Sequence, residues 1–236
     1  MRPIGFSTGA LALGDFRRAL QMLSGRRVQA VELSALRFPE VSALIEEIPS
    51  LDLTQFRFVS LHAPSQFDSG VEAALCRQMA LAADRGWPVI LHPDAISDFG
   101  PWRELGAAVC IENMDKRKPM GRTVAELDRI FGELPDATFC FDIGHARQFD
   151  STMTEAWAIL CHFGSKLRQV HVSEVNTRSK HDPLSFASIH AFREVAHLIP
   201  VEVPLILEAQ IAETEIDAEI DRAREALPDL PNAIAA

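Results

Sequence analysis

Eight short apolar runs alternate along the chain with longer segments in which apolar residues recur at helical spacing. Each run has the length of a β-strand and is rich in Val, Ile, Leu, Phe and Cys. We therefore expect eight strands, near residues 3–8, 28–34, 56–62, 87–92, 107–112, 137–142, 167–173 and 203–208.

The segments between these runs carry residues that are typical of helix ends. Asp15 is a candidate cap of the first segment, Pro39 suits a first helical turn, and Ser69 is a candidate N-cap. Thr123 and Glu126 fit the S/T-x-x-E capping box. The segments predict helices over residues 14–23, 38–48, 69–86, 123–134, 153–164, 185–199 and 214–227.

Alternating strands and helices predict a parallel sheet, and eight repeats in 236 residues match a closed (β/α)8 TIM barrel, an α/β fold. Pro101 interrupts the fourth connection, residues 94–106, so we expect a shortened fourth helix. An open doubly wound sheet is the alternative, but FSTGAL follows the first strand where that fold usually has G-x-G-x-x-G. We expect one domain over residues 1–236, with a loose tail from about 228 to 236.

Six of the eight runs end at or near a histidine or an acid. A polar group in such a place is costly to bury unless it is paired or binds a metal. Because the carboxyl ends of barrel strands converge on one face, these side chains predict a single site there. The site residues, in chain order, are His62, His92, Glu112, Asp142, His145, His171 and Glu208.

Imidazoles and carboxylates together are ligands for Zn²⁺, Mn²⁺, Fe²⁺ or Co²⁺. A single histidine or acid at a strand end is more often a hydrogen-bonded rim residue, but the joint pattern favours a metal. Without one, the three carboxylates would repel one another and some would stay protonated. We predict metal binding by Glu112, Asp142, His171 and Glu208.

Other polar residues have open roles. His62 and His92 either bind metal, shuttle a proton or contact substrate, and Glu32 either hydrogen-bonds the site or lines the rim. The basic run 116–118 is expected to be a solvated loop, although its place after the fifth strand would let it meet a phosphate. Three histidines in helical stretches are assigned to the surface or to helix packing: His162, His190 and His197.

Composition and charge limit the classes of partner and the cellular location that we expect for this protein. The net charge of −10 and the pI of about 5.3 make nucleic acid an unlikely partner, because proteins that grip its backbone usually show a basic face. No apolar run approaches the roughly 18 residues of a membrane span, and the N-terminus has no apolar signal core. The four cysteines form no disulfide pattern, so we expect a cytoplasmic protein. A homodimer is one open option.

The strand endings resemble the xylose isomerase-like TIM barrels, which include sugar isomerases, epimerases and endonuclease IV; the resemblance covers nearly the whole chain through short motifs. The ketose 3-epimerase branch implies one metal on Glu112, Asp142, His171 and Glu208, with both glutamates as acid and base. His145 matches a histidine that contacts substrate. The pattern H-x-G-E-x-N-R is close to the segment from His171 to Arg178, although Ser173 replaces its glycine and Thr177 is inserted.

The endonuclease IV branch is matched at other points of the chain. Its strand-three and strand-four histidines correspond to His62 and His92, and its Glu-Asn pair corresponds to Glu112-Asn113. Its Asp-x-His motif, which implies a third zinc, is replaced here by Ser179-Lys180-His181. The missing aspartate weakens the case for a trinuclear site and for phosphodiester cleavage.

These observations predict a metal-dependent isomerase or epimerase that acts on a sugar-like or sugar-phosphate-like carbonyl through an enediolate. Glu112 and Glu208 would exchange the proton, His145 and Arg178 would hold substrate oxygens, and the cofactor would be Mn, Zn, Co, Fe or Mg. A phosphoesterase with two or three metals is the first alternative, since it would employ the remaining histidines, His62, His92 and His181. A non-catalytic barrel that binds a metal or a small ligand is the second.

Overall fold

Eight parallel strands close into a barrel in the computed structural model, which describes residues 1–229. The barrel strands are β1 (Ile4–Ser7), β2 (Ala30–Ser34), β3 (Phe58–His62), β4 (Val89–Leu91), β5 (Val109–Glu112), β6 (Thr138–Asp142), β7 (Leu167–Val172) and β10 (Leu205–Leu207). Two further strands, β8 (Glu174–Val175) and β9 (His181–Asp182), form a separate hairpin. Neighbours in the barrel follow chain order from β1 to β7, and β10 lies between β7 and β1. The predicted (β/α)8 fold is therefore confirmed.

Helices surround the barrel in the connections between its strands. They are α1 (Thr8–Leu11), α2 (Phe16–Leu23), α3 (Phe38–Glu47), α4 (Ser69–Ala83), α5 (Phe99–Arg103), α6 (Val124–Glu133), α7 (Ile143–Phe149), α8 (Thr154–Phe163), α9 (Phe186–Arg193) and α10 (Ile216–Ala226). Helix α5 has five residues, as the proline in the fourth connection predicts. Two short helices, α1 and α7, and the antiparallel hairpin β8–β9 were not predicted.

Most of the predicted caps are present. The Asp15 side chain accepts a hydrogen bond from the Arg18 backbone, and the Thr123 side chain accepts one from Glu126. The Glu126 carboxylate bonds to the backbone of Arg122 rather than to that of Thr123, so the capping box is half formed. The prediction of Ser69 as an N-cap was wrong, because the helix already begins at that residue.

Side chains along the strands alternate between the barrel interior and the helices. Ile90, Cys110 and Cys140 form a small buried cluster of their own, whereas their strand neighbours belong to the main core. Glu112 and Asp142 lie two residues after the two cysteines and therefore share their interior face. The apolar interior thus ends in acids at the carboxyl end of the strands.

A register shift between β6 and β7 aligns two site residues. The pairing slips by one residue between Phe139 and Cys140, after which Cys140 pairs with Gln169 and Asp142 pairs with His171. The shift therefore sets Asp142 directly beside His171 across neighbouring strands.

Two further predictions concern the chain as a whole. Apart from residues 228 and 229, the predicted loose tail lies outside the described residues. Among residues 1–229, no helix combines the length and the apolar character that crossing a membrane requires.

Replacement of Gly5 by alanine tests how closely β1 and β2 approach. A Cβ at Gly5 would overlap the Ala30 carbonyl of the neighbouring strand, so G5A is expected to lower the free energy of unfolding by about 3 kcal/mol or more. The control G70A, at an exposed helical glycine with open space around it, is expected to stabilise by at most about 1 kcal/mol. Urea denaturation measures both, and equal stabilities would contradict this account.

Candidate active site

Four strands of the barrel bring their predicted ligands together. One donor atom from each of Glu112, Asp142, His171 and Glu208 lies within 4.8 Å of the other three. All four residues are buried, with exposed fractions between 0% and 8%. Asp142 Oδ2 and His171 Nδ1 are buried without a hydrogen-bond partner among the described residues. Buried donors that converge in this way fit a divalent cation.

Glu112 lies at the centre of this group. Its Oε2 atom is 3.3 Å from Nε2 of His62 and 3.2 Å from Nε2 of His92. Its Oε1 atom is 3.2 Å from Nδ1 of His145 and 3.5 Å from Nδ1 of His171. Burial alone would raise the pKa of Glu112, but the charges of His171 and His92 hold it well below its usual range. The two oxygens of one carboxylate thus face two separate pairs of imidazoles.

Three further donor groups share residues with the first. His62 and His92 form one with Glu112, and His145 and His181 form another with Asp142. The third consists of Glu32, His62, His171 and Glu208. The donors of each group also lie within 4.8 Å of one another. The predicted residues therefore meet in one place, where Glu112 and Asp142 belong to two groups each.

The Asp-x-x-His spacing is a helix-capping geometry. Asp142 caps helix α7, and its Oδ1 atom accepts a hydrogen bond of 2.6 Å from the backbone N–H of His145. The Asn113 side chain donates to the carbonyl of Asp142 and accepts from its N–H, both at 2.8 Å. Burial would lower the pKa of His145, but the charges of Asp142 and Glu112 raise it to about 10. These hydrogen bonds hold the start of helix α7 at the end of strand β6.

Glu32 contacts the Nε2 edge of His171, whereas Glu112 and Glu208 lie near its Nδ1 atom. Its side chain is fully buried, and Oε2 is 2.9 Å from His171 Nε2. The same oxygen accepts hydrogen bonds from Gln169 and Ser60. A carboxylate in this position fixes the ring orientation and leaves Nδ1 free for a ligand. Of the two roles left open for Glu32, the structure shows hydrogen bonding to the site.

The hairpin β8–β9 carries His181 to the site. His181 Nδ1 is 2.8 Å from the Ser173 hydroxyl and 3.4 Å from Glu208 Oε2. Burial, together with the charge of His145, lowers the pKa of His181 to about 4. In the sequence, only a short motif links His181 to the site, because nothing there indicates the hairpin.

The turn of the hairpin holds the remaining predicted residues away from the acids. The Arg178 side chain is exposed and does not border the site cavity, and the Arg178 carbonyl accepts a hydrogen bond from Arg117. Ser179 occupies the position of the aspartate in the endonuclease IV motif, and its hydroxyl donates a hydrogen bond of 2.7 Å to Asp115. Asp182 is exposed and bonds to Asn176. The structure therefore gives Arg178 no contact with the donor groups.

The histidines assigned to the surface are exposed, and so are the first two residues of the basic run. His162 lies 2.8 Å from Asp128, and His190 stacks edge-on against Phe186. Lys118, the third basic residue, forms an ion pair of 2.8 Å with Asp94. None of these side chains borders the site cavity.

A cavity of about 340 Å³ opens above the donor groups. One wall consists of imidazoles and carboxylates, and the other comes from the segments that follow β1 and β2 and is largely apolar. No lysine or arginine of residues 1–229 lines it. The lining residues are Ser7, Gly9, Ala10, Leu13, Ser34, Ala35, Leu36, His62, Ala63, Ser65, His92, Glu112, His145, His181 and Glu208.

Comparison with known proteins relates this arrangement to solved structures. No protein-family profile matches the chain, and no curated protein matches it in sequence. A xylose isomerase domain protein from Alicyclobacillus acidocaldarius aligns with a TM-score of 0.67 and 14% identity, over 96% of this chain and 98% of that one. The chain has the fold of the xylose isomerase-like TIM barrels.

Two further neighbours share this xylose isomerase-like fold. Endonuclease IV from Thermus thermophilus aligns with a TM-score of 0.63 and 18% identity, over 98% of this chain and 100% of that one. The 3-keto-D-glucoside 4-epimerase from E. coli aligns with a TM-score of 0.57 and 14% identity, over 96% and 99%. Both branches of the predicted resemblance are thus represented among the structural neighbours, and the fold-level prediction is confirmed.

The metal-free barrel should lose stability as the pH rises from about 7 to about 10. The pKa is raised from 6.5 to about 9 for His62, from 6.5 to about 10 for His145, and from 4.5 to about 8 for Glu208. Groups with raised pKa stabilise the fold below their unfolded value, and this contribution is lost as the pH passes the folded value. Urea denaturation in the presence of a chelator measures the trend, and a flat profile would contradict it.

Replacement of Glu32 tests its contact with His171. E32Q keeps the shape of the side chain but removes the charge behind the imidazole, so we expect divalent-metal affinity to fall by about 10- to 100-fold. The control E46Q changes an exposed glutamate and should leave affinity unchanged. Competition against a chromogenic chelator measures both, and wild-type affinity in E32Q would argue against this role.

Proposed function

We propose that the protein is a metal-dependent isomerase or epimerase that acts on the carbonyl of a small, sugar-like compound. Glu112, Asp142, His171 and Glu208 would hold one divalent ion, and their mixed oxygen and nitrogen donors suit Mn, Zn, Co, Fe or Mg. The orphaned donors Asp142 Oδ2 and His171 Nδ1 support this assignment. When bound, the ion would polarise the substrate carbonyl and so acidify the adjacent C–H.

The observation that carries the proposal is the position of two glutamates on one small cavity. Glu112 and Glu208 both line it, and both lie near the same nitrogen of His171: Nδ1 is 3.5 Å from Glu112 Oε1 and 3.4 Å from Glu208 Oε2. One carboxylate can remove a proton next to the carbonyl while the other returns a proton to the neighbouring position or the opposite face. His145 and His181 line the same cavity and can hold substrate oxygens.

Size and charge support a small substrate. A cavity of about 340 Å³ is within the range of sites for small molecules. The net charge of −10 disfavours a polyanion such as nucleic acid. One structural neighbour is, by its name, an epimerase of a keto-glucoside, which is consistent with carbonyl chemistry on a sugar.

Phosphoester hydrolysis is the second candidate, and the geometry of Glu112 favours it. Its two oxygens face different pairs of imidazoles, as in a carboxylate that bridges two metals. The group of His62, His92 and Glu112 offers three donors to a second ion. Two metals about 3.5–4 Å apart can activate water and stabilise the leaving oxygen. The alignment with endonuclease IV is consistent with this candidate.

Replacement of Glu208 tests the proposed reaction. E208Q keeps the side-chain shape but cannot accept a proton, so we expect at least a 100-fold loss of solvent deuterium incorporation into ketose or aldose substrates. The control E46Q should exchange at the wild-type rate. Mass spectrometry of a panel of sugars with each divalent metal gives the rates. The absence of exchange in the wild-type protein with every sugar and metal would refute the proposal.

The number of metals distinguishes the two candidates. We expect elemental analysis of the purified protein to give about one divalent ion per chain for an isomerase and two or three for a hydrolase. The variant H62A should lower the count only in the second case, since His62 lies outside the group of Glu112, Asp142, His171 and Glu208. Two ions in the wild-type protein and one in H62A would favour the hydrolase.

A further inference from the structure

The wall of the cavity that the segments after β1 and β2 contribute is largely apolar, and the proposed reaction leaves it without a role. It comes from the segments that follow β1 and β2 and contains Gly9, Ala10, Leu13, Ala35 and Leu36. Six large apolar side chains are strongly exposed in the described part of the chain, and two of them, Leu13 and Leu36, border this one cavity. Exposed apolar side chains at the edge of a pocket indicate a binding surface.

Leu13 is held at this edge by an unusual backbone conformation. Its φ is 53°, in the left-handed region that residues with a branched side chain rarely adopt. Its side chain is nonetheless 65% exposed, so burial in the core does not explain the conformation. A strained residue at a cavity edge is a common feature of ligand sites.

Leu36 is fixed in place by two glycines of the preceding connection. A Cβ at Gly14 would lie 3.1 Å from two carbons of the Leu36 side chain, and one at Gly9 would lie 3.2 Å from a third. The Leu36 N–H donates to the Glu40 carboxylate at 3.1 Å, which anchors its backbone. The side chain is still 43% exposed, so it offers a preorganised apolar surface to the cavity.

The charged residues that line the cavity disfavour a ligand that places an anionic group against this wall. Glu112 and Glu208 line the same cavity, and no lysine or arginine among residues 1–229 borders it to pair with a phosphate. The hydroxyl residues of this wall are Ser7 and Ser34, whose oxygens lie 3.0 Å apart and share a hydrogen bond. Hydroxyls suit a neutral ligand, whereas an unpaired phosphate would remain uncompensated.

We propose that Leu13 and Leu36 form a subsite for an apolar end of the substrate. This deepens the proposed function and rests on it: the substrate is an uncharged hydroxy-carbonyl compound whose end remote from the reacting carbonyl carries an alkyl or similar apolar group. Phosphorylated sugars are discriminated against at this position.

Three hydroxamates with the same chelating head test the subsite on the full-length, metal-loaded protein. Acetohydroxamate has no tail, hexanohydroxamate has an alkyl tail, and the monohydroxamate of adipic acid has a tail of similar length with a carboxylate at its end. Each methylene that is buried strengthens binding by up to about fourfold. Because its alkyl tail adds several methylenes, we expect hexanohydroxamate to bind at least about tenfold tighter than acetohydroxamate. The carboxylate-ended probe should lose that advantage. Isothermal titration calorimetry gives the three affinities.

Variants assign the preference to particular side chains. L13S and L36S should each reduce the ratio of hexanohydroxamate to acetohydroxamate affinity at least about threefold, and the double variant should bring it near one. The control L81S changes an exposed leucine of helix α4 outside the cavity and should keep the wild-type ratio. Circular dichroism confirms that the variants are folded.

Three results would overturn the subsite: a wild-type ratio near one, tight binding of the carboxylate-ended probe, or an unchanged ratio in the double variant. Binding of no hydroxamate at all would also overturn it. Metal titration without hydroxamate and the deuterium exchange assay report on the proposed function separately, so that a protein with the tail preference but without exchange retains the subsite and loses the reaction.

Discussion

Repulsion between four buried carboxylates is the constraint on which the rest of the site depends. The barrel places Glu32, Glu112, Asp142 and Glu208 at one end, and all four are at least nine-tenths buried. Burial raises the pKa of Glu208 to about 8 despite the charge of His171, and the charges of the other acids add to this. Imidazoles outweigh the effects of burial and repulsion at Glu32 and Glu112, whose pKa is lowered, but not at Glu208. A bound cation would remove most of the repulsion, since metal binding to such a site is coupled to the stability of the fold.

Acids elsewhere in the barrel fix the loops that carry the site. Glu72 is buried in helix α4 and accepts hydrogen bonds from the backbone of Ser97 and from the indole of Trp102, which holds the loop that follows His92. Glu219 of helix α10 accepts from the backbone of Leu184, just beyond the hairpin β8–β9. Glu219 satisfies a buried backbone donor, and Glu72 satisfies the buried indole N–H of Trp102. The loops at the face that carries the candidate site are therefore positioned by hydrogen bonds from the helices around the barrel.

The sequence was sufficient for the barrel and for the convergence of most of the site, because strand ends in a parallel barrel meet on one face whatever their loops do. The sequence was insufficient for features of the site that depend on local backbone geometry or on side-chain contacts. The register shift between β6 and β7 sets Asp142 beside His171, and no residue type marks such a shift in advance. The hairpin that delivers His181 has strands of two residues each, too short for periodicity to show. The role of Glu32 required its burial and its contact with His171, which lies 139 residues away.

The surroundings of the two glutamates assign them unequal parts in the proposed reaction. Glu112 is 1% exposed and contacts four imidazoles, so its charge is fixed and a proton on it would lose several favourable contacts. Glu208 is 8% exposed, lies within 4 Å of two imidazoles among residues 1–229, those of His171 and His181, and follows the last residue of its strand. A group that exchanges a proton during turnover must be stable both with and without it. Glu208 meets this condition better and is therefore the first candidate for the group that removes the proton, whereas Glu112 would have to give up some of its imidazole contacts in order to carry the proton that is returned.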